Sequence, residues 1–171
     1  MKVVQNYTLT FVLLAICQIF LSNYTCLGPY IILSMLSTMI LCLPTGMSTI
    51  TSMIVAFACG FATDLFAEGL LGLNVAALLP VAFCRKGLIR IFLGEDIIVR
   101  KDSFSIRKNG LAKVSLAQMT ACAIFLAVYI FLDGAGTRPF WFCASRFFAS
   151  LGCCWPLGLV VINILTVDDR K

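Results

Sequence analysis

The chain has 171 residues, 61% hydrophobic and 12% charged, with a net charge of +5 and a mean hydropathy of +1.01. A soluble domain of this length is about half apolar and about a quarter charged, so this balance excludes an ordinary water-soluble domain and points to an integral membrane protein. The length suits one polytopic membrane domain over residues 1–171, with no separate soluble domain beside it.

Met1-Lys2 and the apolar run from Leu9 to Leu21 have the outline of a signal peptide. No small-x-small cleavage site follows, because Ser22-Asn23-Tyr24-Thr25-Cys26 is polar and bulky, and Ile16 directly before Cys17 argues against lipoprotein processing. The run is therefore expected to be a retained first helix, Tyr7 to Leu21, closed by Ser22-Asn23 and Gly28-Pro29. A second helix is expected from Tyr30 to Leu43, ended by Pro44-Thr45-Gly46, and a third from Met47 to Thr63, running into Asp64. Glu68-Gly69 leads back into a fourth, Leu70 to Phe83, with Pro80 inside. The fifth covers Leu116 to Leu132 before Asp133-Gly134, and the sixth covers Phe140 to Leu165 with a kink at Pro156. Several of these fall short of the ~20 residues of a straight span, the second and fourth most of all, which leaves four or five crossings open beside six.

Charge decides between these counts. Eight of the thirteen Lys and Arg residues (Arg85, Lys86, Arg90, Arg100, Lys101, Arg107, Lys108 and Lys113) lie in one basic connection at about 84–115. With six crossings and both ends inside, eleven of the thirteen fall on the cytoplasmic side, as the positive-inside bias demands. Removing one crossing sends either the basic connection or the Arg170-Lys171 end outside. The expectation is a six-helix protein of a bacterial inner membrane, N-in and C-in. Within the basic connection, Arg85, Lys86 and Arg90 alternate with Leu88, Ile89, Ile91 and Phe92, a pattern suited to anionic lipid headgroups at the inner leaflet. Topology and headgroups account for the charge, so no nucleic-acid partner is expected.

The nine cysteines lie mostly inside apolar stretches, where they act as small apolar residues. With no His and no CxxC pair, neither a metal nor a cofactor is expected. Asp64 is the most pointed polar residue, since an acid at membrane depth has a partner or a task. Two readings stand side by side: an ion pair with Arg146, or a cap on the following turn at the interface. Asp64 and Glu68 sit one helical turn apart, yet no further acids follow to complete a metal site, and no Ser or Cys stands beside a base. An enzyme is not expected. Gly69-Leu70-Leu71-Gly72-Leu73-Asn74 has the look of a phosphate loop but lacks its Lys and its preceding strand. Close approach between helices is the better use of Gly69, Gly72, Gly60 and Gly152. No internal repeat links 1–83 to 84–171, which counts against an inverted-repeat transporter.

The order of these pieces resembles the rod shape-determining MreD family, particularly its Bacteroidetes-like members. The resemblance is carried by Gly28-Pro29-Tyr30, by Gly60-Phe61-Ala62-Thr63-Asp64-Leu65-Phe66, and by Gly69-Leu70-Leu71-Gly72-Leu73-Asn74. The basic fourth connection and Trp155-Pro156 before a short charged tail complete it, with Asp64 the best single match. It spans nearly the whole chain, and the charged Glu95–Lys113 stretch departs from the family pattern. The resemblance implies six helices arranged like the substrate-binding subunits of energy-coupling-factor transporters. It also implies a non-enzymatic scaffold that helps maintain cell shape beside MreC, MreB and the elongation-complex cell-wall synthases. The rival is a vitamin-type uptake subunit of the same fold, whose outer polar residues would be Asn23, Thr25, Asp64, Glu68, Asn74 and Arg138. An integral enzyme of lipid metabolism ranks last.

Overall fold

A computed structural model describes residues 2–24, 31–68, 71–94, 110–134 and 138–167 of the protein. Its elements are α1 (Lys2–Tyr24), α2 (Leu36–Leu41), α3 (Thr49–Thr63), a π-helical turn (Asp64–Glu68), α4 (Leu73–Leu93), α5 (Leu111–Gly134) and α6 (Phe140–Val167). The described residues contain no strand. Among the described residues, three stretches are both long and apolar enough to cross a membrane: Thr49–Ala67, Leu111–Gly134 and Phe140–Leu165. Exposed Leu, Ile and Phe side chains clothe the helices' outer surface, which marks the solvent as lipid. This is an all-helical membrane protein.

Several expected boundaries move, and the first helix spans Lys2–Tyr24 rather than Tyr7 to Leu21. The fourth helix starts at Leu73 and runs ten residues past the expected end at Phe83, reaching Leu93, and the fifth starts at Leu111 rather than Leu116. The basic connection is thus partly built from the last turns of α4 and the first turn of α5. Hydropathy alone stops a helix where charge begins, but backbone bonding does not stop there.

The largest departure is the second helix. Only Leu36–Leu41 is helical, residues 31–35 are not, and all six residues of α2 are buried. Five long helices surround it: α2 touches α1, α3, α4, α5 and α6. It is therefore the axis of the bundle and no peripheral span. The principal helix pairs are α4 on α5, α3 on α4 and α5 on α6, so the chain from α3 onward packs in sequence order. Small residues set the closest approach. A Cβ on Gly60 would lie 2.9 Å from both the Cα and the N of Val75, so only glycine lets α3 meet the start of α4 there.

Candidate functional site

The start of α3 is conventional: Ser48 is extended, and its hydroxyl accepts from the Thr51 amide at 3.1 Å. The start of α4 is not. Its cap position is Gly72, at φ +100°, a left-handed conformation that a side chain would strain and that gives no side-chain cap. The missing acceptor comes from the π-helical turn. Asp64 is 0% exposed, and its Oδ2 accepts from the Gly72 amide at 2.9 Å and the Val75 amide at 3.4 Å. Its Oδ1 accepts from the Asn74 amide at 3.0 Å and from Asn74 Nδ2 at 2.9 Å. A helix N-terminus presents unbonded amides and a partial positive charge, so a carboxylate is the matched partner. The Gly72 to Val75 stretch does cradle an acidic group, the chain's own Asp64.

Of the two readings of Asp64, the cap stands and the ion pair falls. Arg146 is bonded instead to Asp133, in the last turn of α5. The reason is topological: α5 and α6 are consecutive and packed together, whereas Asp64 ends α3 and is occupied by α4. Asn23 joins the same region from α1, its Nδ2 donating to the Phe66 carbonyl at 3.2 Å. Gly69 and the side chain of Glu68 lie outside the described residues, as does Thr25.

A second polar assembly surrounds α2. Non-helical backbone within a bilayer must find its partners inside the protein, and residues 31–36 find them on two helices, α6 and α1, and on Ser34. Ser150 Oγ of α6 accepts from the Ile32 amide at 2.8 Å, and Cys154 Sγ donates to the Ile32 carbonyl at 3.3 Å. Cys154 Sγ also takes the Ser34 amide at 3.4 Å. On α1, Gln18 Oε1 accepts from the Met35 amide at 2.7 Å while its Nε2 donates to the Leu33 carbonyl at 3.3 Å. Ser34 Oγ accepts from the Leu36 amide at 3.3 Å. From α5, Cys122 meets Ser37 at 3.1 Å, and Gln118 Nε2 donates to the Cys154 and Trp155 carbonyls at 3.4 and 3.2 Å. Gln118 thereby braces α6 just before Pro156, the residue that brings no amide of its own. Gly158 gives it room, since a Cβ there would come within 1.9 Å of Gln118 Nε2.

The far end of α2 is closed by Arg85. Its Nε donates to the Leu41 carbonyl at 3.2 Å, Nη1 to Ser52 Oγ at 3.4 Å, and Nη2 to the Leu43 carbonyl. Arg85 is 1% exposed, so its expected place among headgroup-facing cations is corrected: it caps the carbonyl end of a broken helix from inside the bundle. A flexible side chain with five donors suits that task, because the turn beyond α2 leaves several carbonyls without helical partners. The remaining basic residues divide. Arg90 and Lys113 are exposed, Lys86 is half-buried, and Arg100, Lys101, Arg107 and Lys108 lie outside the described residues.

The cysteines also depart from expectation in part. The described ones are free thiols, yet Cys122 and Cys154 act as hydrogen-bonding groups and not as plain apolar fillers. Gln18 and Gln118 carry as much of the polar framework as Asp64 and were not singled out in the sequence. Their signal was available: each is the one amide within its apolar run, Leu9 to Leu21 and Leu116 to Leu132, where an unsatisfied polar group is costly. Among the described residues no cluster of three His, Cys, Asp or Glu side chains is placed to hold a metal. No protein-family model matches this chain, and neither the curated proteins nor the solved structures compared with it give a match.

Proposed function

We propose that the protein is a non-enzymatic membrane scaffold of the rod shape-determining MreD kind, organising peptidoglycan synthesis with MreC and the elongation-complex synthases. The observation that carries the reading is the Asp64 joint. Asp64, the best single match of the resemblance, meets Gly72 and Asn74 of a second stretch that carries it, and with Gly60 against Val75 this joint fixes α3 against α4. A motif of that kind supports a rigid body that presents surfaces to partners. Six crossings of the inner membrane, with both ends on the cytoplasmic side, belong to the same proposal.

The uptake-subunit reading has one observation on its side, the discontinuous α2, since broken helices line the binding sites of many transporters. Against it, the polar groups around α2 are bonded largely to its own flanking backbone, and Asp64 and Asn74 are bonded to each other. Affinity purification of the tagged chain from its own membranes, followed by mass spectrometry, separates the two. Recovery of MreC and cell-wall synthases is the expected result. Recovery of an ATPase pair with a coupling subunit overturns the scaffold and favours uptake.

A further inference from the structure

At the end of α5 remote from Lys113, the surface is concave. α5 has 24 residues, about 36 Å of helix, so its two ends lie at opposite membrane faces. Between the last turns of α5 and the first turns of α6 runs a groove of about 490 Å³. Ala127, Phe131 and Gly134 form one wall, and Cys143, Ala144 and Phe147 form the other. Its lining is almost wholly apolar, and Arg138 supplies the charge. Arg138 stands two residues before α6, exposed, with its guanidinium 5.1 Å from the Phe142 ring centroid. Phe140 and Trp141, 84% and 81% exposed, flank it as interfacial aromatics do.

We propose that this groove binds one anionic phospholipid, with an acyl chain between α5 and α6 and the phosphate on Arg138. Direction, depth and charge agree on that occupant. The groove starts at Gly134, Arg138 and Phe140, where the two helices end and begin, and descends beside α6 from Phe140 to Phe148, about 12 Å along the helix. That is close to the ~15 Å of hydrocarbon in one leaflet. A cation at the mouth of an apolar slot matches a phosphate at the head of a chain, whereas a packed transmembrane helix offers no anion at that point. The site is separate from the basic connection, which lies at the other end of α5, and it does not depend on the scaffold reading.

Trp141 makes the proposal measurable. In a Trp155→Phe background it is the remaining tryptophan, and bromine on a lipid acyl chain quenches it on contact. The purified chain in mild detergent is titrated with phosphatidylglycerol or phosphatidylcholine carrying brominated acyl chains. The expected result is about fivefold tighter quenching by phosphatidylglycerol, the preference that one basic residue at an anionic surface provides. Arg138→Gln, at an exposed position, abolishes the preference while both lipids still quench. Ala144→Phe fills the slot and weakens quenching by both. Equal quenching by the two lipids in the parent chain overturns the proposal, as does a preference that survives Arg138→Gln. A dimer in detergent that Ala144→Phe converts to monomer, without lipid preference, assigns the groove to a second copy instead.

Discussion

Replacing Asp64 by Asn tests the central joint with almost no change in shape. The carboxylate accepts four hydrogen bonds from Gly72, Asn74 and Val75 in a position sealed from solvent. In Asn, one oxygen still accepts from Asn74, but the new NH2 group points at the Gly72 and Val75 amides, donor against donor. Leaving a buried donor unmatched costs about 1–3 kcal/mol, and the lost charge at the start of α4 adds about 0.3–1 kcal/mol. The Val75 contact is long and counts for less, so about 3 kcal/mol is expected for Asn and about 5 kcal/mol for Ala, which removes every acceptor. For a chain of this size such losses correspond to roughly 6–12 °C of melting temperature for Asn. The assay is a heat ramp on detergent-solubilised protein, following the monodisperse fraction by fluorescence-detected gel filtration. Asp64→Asn melting within about 1 °C of the parent, which is less than 1 kcal/mol by the same conversion, would refute the capping argument. Combining Asp64→Asn with Arg146→Gln gives losses that add within about 0.5 kcal/mol, because the two residues belong to different contacts; strong coupling between them would revive the rejected ion pair.

Further outcomes follow from the same geometry. Gly60→Ala drives a methyl into the backbone of Val75 and lowers the melting temperature strongly, while Gly87→Ala, with open space around it and an ordinary helical backbone, raises stability by about 0.5–1 kcal/mol. The two substitutions are chemically identical, so similar melts for both would contradict the packing assigned to Gly60. Arg85→Met leaves the Leu41 and Leu43 carbonyls without their donor and costs about 3 kcal/mol, with Arg85→Lys recovering part of it. Were Arg85 a headgroup-facing cation, Met would melt like the parent. Gln18→Leu keeps the volume but orphans the Met35 amide and the Leu33 carbonyl. Hydrogen exchange at residues 32–36 is expected to quicken by one to two orders of magnitude, about 1.4–2.8 kcal/mol of lost protection; unchanged protection would show that the clasp around α2 does not depend on α1.

Some of this architecture is written in the chain itself. Composition fixed the solvent, because 61% hydrophobic residues cannot be buried in 171 residues of soluble protein. Length and breakers placed α3, α6 and the end of α5 within two residues, since apolar runs and turn residues act locally. Asp64 stood out for a reason that holds in the structure: an acid at membrane depth must be matched. The partner was beyond reach. Asp64 faces the Gly72 amide eight residues on, and Arg146 of α6 faces Asp133 of α5 thirteen residues back, but nothing in charge or hydropathy ranks those contacts above Asp64 with Arg146. Arg85 and α2 show the same limit from two sides. Inside a run of cations Arg85 reads as a surface charge, and Tyr30 to Leu43 reads as one apolar helix. Only the packed bundle brings the guanidinium to carbonyls 42 and 44 residues away, and only there do Gln18, Ser150 and Cys154 supply the hydrogen bonds that let residues 31–35 leave the helix. Hydropathy is a property of each segment, whereas backbone satisfaction in lipid is settled between segments, and that second condition decided where the second helix breaks.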